Sequence, residues 1–404
     1  MTTRLPPRHV GGAVLVGVAF ALLPLSTDIY LAALPALRRE LAVGVAEVQL
    51  TLSVFIAAFA LSQLVYGPLS DRFGRRPVLL AGIAIYCVAT LACAAAQSIE
   101  QLLVGRFFQA IGACSGQVIG RAIVRDVHGA QGAARMLGYI TAGTALAPVF
   151  GPAIGGVLTV AFGWRANFIL LAAVGGLLFV AAARLLAESN QHPDPRATAL
   201  SGLAANYAAL ARDRRFVGHA LCLAASYGAV FAWISGSAFV MIETLRVPVE
   251  WFGVWFGLTV VPYVAANLVT ARLVMRVGTQ RILRLGMALA ALAGALLAGL
   301  ALAGVHTLAA LLAPIALLLF ATGLNMPCLL AGAIGPFPRL AGTASALMGF
   351  VQMSAGAAVG IAVGRLHDGT PVPTALAIGA MTTLMAAIYV VVVPPEPRPA
   401  AERG

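Results

Sequence analysis

The most regular feature of the chain is a succession of twelve apolar runs, each about 20 residues long, separated by short polar segments. A helix needs about 20 apolar residues to cross the ~30 Å hydrocarbon core of a bilayer, and strands of that length are rare. Each run is also apolar on every side, unlike the one-sided pattern of a surface helix. The pattern therefore predicts twelve transmembrane helices, over residues 10–34, 48–70, 77–97, 101–123, 136–160, 164–186, 216–242, 252–273, 281–304, 307–333, 341–364 and 373–393.

One long polar segment interrupts this succession after the sixth run. It predicts three parts: an N-terminal six-helix bundle (1–186), a cytoplasmic linker (187–215) and a C-terminal six-helix bundle (216–404). An internal repeat supports the division, because residues 67–82 align with residues 271–286 and the glycines of the two segments pair. We therefore expect an all-α membrane protein built from two pseudo-symmetric halves, an architecture that transporters use.

Composition excludes a soluble protein. Hydrophobic residues make up 61% of the 404-residue chain and charged residues 10%, whereas soluble domains carry about 25% charged residues. The net charge of +12 is therefore not read as a nucleic-acid-binding surface. The five cysteines lie inside apolar runs, without the spacing of a metal site or a redox motif.

The basic residues predict the orientation. All 26 are arginines. With the N-terminus in the cytoplasm, twenty arginines fall on the cytoplasmic side and five on the opposite side, while Arg106 lies inside a span. An excess of this size follows the positive-inside rule. Both chain termini are therefore predicted to be cytoplasmic.

Two charges lie inside the predicted spans. Asp28 occupies the outer part of the first span and Arg106 the outer part of the fourth, each about 8–9 Å from the outer edge at 1.5 Å per residue. A charge within a bilayer is costly and usually functional. If the two helices are neighbours, the charges can neutralise each other, and a change in their separation would alter the proton affinity of Asp28. The alternatives are a structural carboxylate at Asp28 and a permanent ion pair.

Two further segments carry recognisable patterns. In the loop between spans two and three, Asp71 is expected to accept hydrogen bonds at a helix N-terminus. Asp126 and the nearby arginines are expected to form an ion-pair latch between helices. In span five, closely spaced glycines allow another helix to approach, and two prolines loosen the helix.

These motifs resemble the major facilitator superfamily, and within it the twelve-helix drug:proton antiporters. GPLSDRFGRRP resembles the loop signature, and RFFQAIGACSG, beginning at Arg106, resembles the arginine motif of the fourth helix. PLSTDIYLAALP, RAIVRD, WRANF and GTASALMGFVQM are similar to the bicyclomycin/chloramphenicol resistance (Bcr/CflA) subfamily. The matching loop residues, which the resemblance implies form the latch with Asp126, are Gly67, Asp71, Gly74, Arg75 and Arg76. The antiporter motif of span five is Gly143, Pro148, Gly151, Pro152, Gly155 and Gly156.

The resemblance implies proton-coupled efflux of small lipophilic or cationic compounds across a bacterial inner membrane, by alternating access. Asp28 and Arg106 would couple the proton, and the substrate would contact Thr27, Asp28, Arg106, Ala113, Gln117 and Trp233. The drug-like molecule, protons and the lipid bilayer would be the partners of a monomer, with no nucleic acid. The chain shows no ATP-binding or catalytic motif. We therefore expect no enzyme activity, no metal and no cofactor, and the proton-motive force as the energy source. The alternative on the same fold is a proton-coupled transporter of a native sugar or amino acid.

Overall fold

The computed structural model describes residues 10–191, 193–195, 197–337 and 340–393. Twelve of the helices in this part of the chain are long and apolar enough to cross a membrane, which confirms the predicted spans. The chain ends, predicted to be cytoplasmic, lie outside the described residues. So do six of the arginines used to predict the orientation: Arg4, Arg8, Arg196, Arg339, Arg398 and Arg403.

Fourteen helices account for most of the described structure. They are α1 (Val10–Leu31), α2 (Leu34–Leu41), α3 (Val45–Phe73), α4 (Arg75–Ala95), α5 (Ile99–Thr144), α6 (Leu146–Phe162), α7 (Arg165–Leu185), α8 (Leu200–Arg212), α9 (Arg214–Ala238), α10 (Val249–Val277), α11 (Thr279–Leu302), α12 (Leu308–Ile334), α13 (Ala341–Arg365) and α14 (Val372–Val392). A π-helical turn, Phe239–Thr244, extends α9.

Two helices depart from the predicted limits of their spans. The first predicted span reached residue 34, but α1 ends at Leu31 and the short helix α2 begins three residues later. Pro35 lies in the first turn of α2, where a missing N–H costs nothing. The helix α5 runs through the fourth span and into the start of the fifth, which α6 continues, and its dihedral angles break at Gly129, where φ is 65°. The break separates the fourth span from the fifth.

The helices pack in two groups with two main contacts between them. Among the first seven helices, α1 packs on α5, α6 and α7, and α4 packs on α5 and α7. Among the later helices, α9 packs on α12, α13 and α14, and α11 packs on α12 and α14. The contacts of α3 with α13 and of α6 with α10 join the groups.

The internal repeat has a structural counterpart. Gly74 joins α3 to α4 with φ 95° and ψ 152°, and Gly278 joins α10 to α11 with φ 87° and ψ 145°. Only glycine adopts this conformation without strain. The aligned glycines therefore make the same turn at equivalent places in the two groups of helices. The linker predicted over residues 187–215 contains a helix of its own, α8, which packs on α9 and α13.

Candidate functional site

Asp28 lies one turn before the end of α1 and is almost completely buried, with 4% of its surface exposed. Its Oδ1 accepts a hydrogen bond of 3.1 Å from the Thr27 hydroxyl. That hydroxyl also lies 3.1 Å from the carbonyl oxygen of Pro24. A carboxylate in this setting has one weak hydrogen bond and little access to water.

The surroundings of Asp28 come from both groups of helices. Gly151 of α6 brings its backbone close, since a Cβ there would lie 3.1 Å from the Asp28 Cβ. Across the contact between the groups, α1 touches α9, and Tyr227 of α9 lies near Asp28. The Tyr227 ring stacks on Phe231, with centroids 6.0 Å apart, and Gly356 of α13 leaves it room. Asp28 therefore faces the other half of the molecule.

Tyr227 is a residue that the sequence reasoning missed. The internal repeat aligns residue 67 with residue 271, a shift of 204 residues, and the same shift predicts Ala232 opposite Asp28. Nothing in the pattern of span seven distinguishes Tyr227 from other aromatic residues in apolar runs. Its proximity to Asp28 depends on how α1 and α9 pack, which one sequence does not reveal.

Arg106 is fully buried in α5 and is held by neutral groups. Its Nη1 donates to the Ser26 carbonyl oxygen at 3.0 Å and to Gln109 Oε1 at 2.7 Å. Its Nε lies 3.5 Å from the Thr51 carbonyl oxygen. These bonds connect α1, α3 and α5 around one guanidinium, while Nη2 has no hydrogen-bond partner among the described residues.

Aromatic rings complete the enclosure of Arg106. Its guanidinium carbon lies 4.2 Å from the centroid of Phe55, 4.9 Å from that of Tyr30 and 6.0 Å from that of Phe168. A cation over an aromatic face gains roughly 0.5–2 kcal/mol, more when it is desolvated. We call these three rings the aromatic cage. It stabilises a charge that no ion pair of the described residues neutralises.

The expected ion pair between Asp28 and Arg106 is not formed. Their helices are neighbours, but the ion pairs of the described residues include none between the two charges. Arg106 contacts Ser26 and Tyr30, which lie four residues apart on one face of α1. Asp28 lies between them in sequence, and its side chain leaves α1 about 200° around the helix axis from that of Ser26. It therefore points towards α6 and α9 instead.

The loop between α3 and α4 forms the expected cluster of charges. Arg75 pairs with Asp71 at 2.5 Å and with Asp126 of α5 at 2.9 Å, and it also donates to the Ser70 hydroxyl at 2.7 Å. Its side chain is only 7% exposed. We call Asp71, Arg75 and Asp126 the latch. Arg76 binds the carbonyl oxygen of Ala183 in α7, at 2.6 Å, while the surroundings of Gly67 are open.

One detail of this loop differs from the prediction. Asp71 does not accept hydrogen bonds at the N-terminus of α4, because its carboxylate binds the Arg75 side chain. Glu188, which follows α7, binds the backbone N–H groups of Arg75 and Arg76 instead. The sequence could not indicate this, because Glu188 lies more than a hundred residues further along the chain.

The span-five motif divides between two neighbours. A Cβ at Gly155 would collide with the backbone carbonyl of Ile29 in α1, and Gly151 also packs on α1. Gly156 and the segment after Pro152 approach α10 instead, where Val249 and Gly253 lie opposite. Pro152 lies inside α6 and Pro148 in its first turn. Gly143 differs from the expectation, because nothing lies within 4 Å of its added Cβ.

The other predicted substrate contacts lie at different depths from the surface. Ala113 is fully buried in α5, whereas Gln117, one turn further, is half-buried. Trp233 is 1% exposed and stacks on Phe256 of α10 with centroids 5.9 Å apart. Its indole N–H has no partner among the described residues. No hydrogen bond, ion pair or ring contact of the described residues joins these three side chains to Asp28 or Arg106, and their role stays a prediction.

Ion pairs also lie at the end of the molecule near the α1–α2 turn. Arg38 of α2 binds Glu243 at 2.6 Å and so connects the two groups of helices. Glu40 binds the side chains of Arg165 and Trp164 at the start of α7. The hydrogen bond from Arg165 holds the pKa of the Glu40 carboxyl below its ordinary value of 4.5.

One apolar cavity lies apart from this site. It has a volume of about 900 Å³ and lies on the outer face between α4 and α5, among apolar residues that include Ile85, Val88 and Phe108. Since these side chains are exposed and apolar, they form part of the surface that lipid covers.

Known proteins resemble this chain in both sequence and structure. The sequence model described as Major Facilitator Superfamily matches residues 16–361. The chain is 28% identical to a bicyclomycin resistance protein homolog of Haemophilus influenzae, over 93% of this chain and 94% of that protein. It is also 28% identical to multidrug resistance protein D of Escherichia coli, over 85% of this chain and 86% of the relative. A crystal structure of a D-xylose-proton symporter shares the fold, with a TM-score of 0.73, 14% identity and coverage of 95% and 98% of the two chains.

Proposed function

The chain belongs to the major facilitator superfamily, and from this premise we propose that it exports small lipophilic or cationic compounds, including antibiotics, in exchange for protons. The relatives named for bicyclomycin and multidrug resistance support a drug substrate. Twelve apolar helices make it a multi-pass membrane protein. We place it in a bacterial inner membrane, as a monomer that works by alternating access and carries no catalytic activity of its own.

The observation that carries the proposal is the buried carboxylate of Asp28. It lies where α1 contacts α9 of the opposite half, with Tyr227 nearby, and none of the ion pairs among the described residues includes it. A buried carboxylate without a cation gains little from remaining ionised, so it can take up a proton when the pathway opens to the outside. It can release that proton when a substrate enters from the cytoplasm.

Arg106 has a different part in this mechanism. Because a guanidinium does not deprotonate in proteins, Arg106 supplies a fixed positive charge rather than a titrating group. The aromatic cage and the Ser26 and Gln109 hydrogen bonds keep that charge in place. Proton and substrate would then exchange at Asp28, with Thr27 as its hydrogen-bonding neighbour.

The energy available is sufficient for export. One proton entering down a potential of 100 mV releases about 2.3 kcal/mol. Since about 1.4 kcal/mol corresponds to a factor of ten, one-to-one exchange supports a gradient of roughly 50-fold for a neutral drug. No nucleotide is needed for this.

The test is drug-induced proton release from purified protein and pH-driven drug transport in liposomes, for Asp28→Asn. We expect both to be lost, because asparagine cannot carry the proton. The matched control is Asp368→Asn, the same chemical change at an exposed loop position, which should behave as wild type. Undiminished pH-driven transport by Asp28→Asn contradicts the assignment.

The substrate class needs a separate experiment. A susceptibility panel with and without expression, in a host that lacks its own exporters, should give a raised inhibitory concentration for several chemically unrelated antibiotics. A strain that instead retains or loses a sugar or amino acid, with unchanged susceptibility, would favour the metabolite transporter.

A further inference from the structure

The carboxylate of Glu188 is the centre of a small set of backbone hydrogen bonds. Its Oε1 accepts from Arg75 N at 2.9 Å, and its Oε2 accepts from Arg76 N at 3.0 Å. Oε1 also accepts from the N–H groups of Ser189 and Asn190, at 3.0 and 2.9 Å. Glu188 thus caps the first turn of α4, where the helix dipole favours a negative charge.

The residues next to Glu188 hold the latch as well. Asn190 Nδ2 donates to the Asp71 carbonyl oxygen at 3.0 Å. The Ser189 hydroxyl lies 3.4 Å from Asp126 Oδ2, the oxygen that also accepts from Arg75 Nε. Two members of the latch therefore contact the segment Glu188–Asn190 directly, and the third, Arg75, is bound through its backbone.

Among the described residues, the second half of the molecule makes the equivalent turn without such a contact. Gly74 and Gly278 share their backbone conformation, but only at Gly74 would a Cβ meet the Glu188 carboxylate, at 2.8 Å. No atom of the described residues lies within 4 Å of a Cβ at Gly278. In the part of the chain that the structure describes, the carboxylate contact is therefore a feature of the first of the two turns.

The same segment leads into the connection between the halves. After it, α8 packs on α9 and α13, while the Tyr207 hydroxyl of α8 lies 3.5 Å from the carbonyl oxygen of Leu64 in α3. The chain thus runs from the latch of one half to the helices of the other within a short distance. A movement of one half relative to the other must act on this connection.

We propose that Glu188 is a positioning residue of the latch: its carboxylate fixes the first turn of α4, so that Arg75 reaches Asp71 and Asp126, and it ties the connection between the halves to that cluster. The proposal rests on the proposed transport function. The state of the molecule in which the latch closes is then stabilised in part by a residue outside the loop motif.

Glutamine at this position separates charge from shape. The two carboxylate oxygens accept from different N–H groups, so Glu188→Gln replaces one acceptor by an NH2 group that faces a backbone N–H. The first turn of α4 then keeps an unsatisfied donor, and the negative charge at its dipole is lost. The substitution Glu188→Asp would instead keep the charge and both acceptors on a shorter side chain.

The first experiment measures the distribution of distances between two spin labels in nanodiscs, without drug or pH gradient. One label lies at the end of α3, just before α4, and the other at the end of α10, just before α11. Glu188→Gln should shift the populations of the open and closed states by about fivefold or more. It should lower the turnover number of drug transport with little change in KM. Glu188→Asp should restore most of both. Glu250→Gln, which removes an acid from the first turn of α10, is the control and should change neither.

The second experiment compares Gly74→Ala with Gly278→Ala. Both substitutions strain a positive φ, but only the methyl group at Gly74 meets Glu188, so Gly74→Ala should shift the distances more. Adding Glu188→Ala should then shift the distances much less in the Gly74→Ala protein than in wild type.

Three results would overturn the proposal: unchanged distances in Glu188→Gln, equal shifts for the two glycine substitutions, or turnover that falls only in step with the amount of folded protein. Because the distances require no substrate, the first two results remain interpretable even if the molecule carries no drug.

Discussion

Two glycines of the span-five motif allow a paired test of how α1 and α6 are held together. Gly155 and Gly143 have the same residue type, both lie in helices, and both belong to the predicted antiporter motif. Only Gly155 is enclosed, since its Cβ would overlap the Ile29 carbonyl, while the surroundings of Gly143 are open. The informative comparison is therefore Gly155→Ala against Gly143→Ala.

The structure gives the expected magnitudes. Alanine in a helix is favoured over glycine by about 0.5–1 kcal/mol, and this gain is all that Gly143→Ala should show. At Gly155 the backbones of α1 and α6 must separate by on the order of 1 Å, and overpacking of this kind costs about 1–3 kcal/mol. Since both alanines gain the same helix preference, the stabilities of the two variants should differ by the overpacking cost alone, roughly 1–3 kcal/mol, because close packing rather than hydrophobic burial joins helices within lipid.

The assay is thermal unfolding of the purified proteins in one detergent, together with pH-driven transport in liposomes. Gly143→Ala should unfold at or slightly above the wild-type midpoint and transport normally. Gly155→Ala should unfold several degrees lower and transport poorly, since Ile29 adjoins Asp28. Equal midpoints for the two variants would show that the approach of α6 to α1 contributes nothing, and the packing argument would have to be abandoned.

Two further predictions concern the ion pairs near α2. A double-mutant cycle on Arg38 and Glu243 should give a coupling of about 0.2–1 kcal/mol, because both side chains are about a third exposed; a coupling of zero would contradict a stabilising connection between the two groups of helices at this pair. For Glu40, the folded-state pKa is lowered, so its stabilisation is present above the ordinary value of 4.5 and is lost as the pH falls through the folded value. The unfolding midpoints of wild type and Glu40→Gln should therefore differ at pH 7 and converge in acid, and a constant difference would count against the Arg165 and Trp164 contacts.

Most of the fold could be predicted from the sequence, because a membrane helix leaves a long apolar run that needs no tertiary information. The limits of the helices were less accessible. The fourth span was expected over residues 101–123, but its helix runs from Ile99 to Gly129, since arginines and Asp126 continue the helix beyond the apolar run. The first span was expected to reach residue 34, and the turn before Pro35 was not anticipated.

The site was only partly accessible. The family and the residues of the latch follow from short motifs, and the family is confirmed by the match over residues 16–361. The depth of Asp28 and Arg106 could be counted from the sequence, but the face of α1 that each would meet could not. The aromatic cage comes from three different helices, and Glu188 reaches α4 from beyond α7. Such contacts are properties of packing, and a single amino-acid sequence carries no signal for them.

The separation of Arg106 from Asp28 has a consequence for electrical behaviour. On the proposed mechanism the centre carries one net positive charge when Asp28 is protonated and none when it is ionised, because the cage keeps Arg106 charged throughout. An interior-negative voltage would then speed the inward return of the protonated carrier. The outward stroke with a neutral drug would be indifferent to voltage, and a monovalent cationic drug would make it unfavourable. The drug's own charge would thus decide which half of the cycle limits the rate in an energised cell.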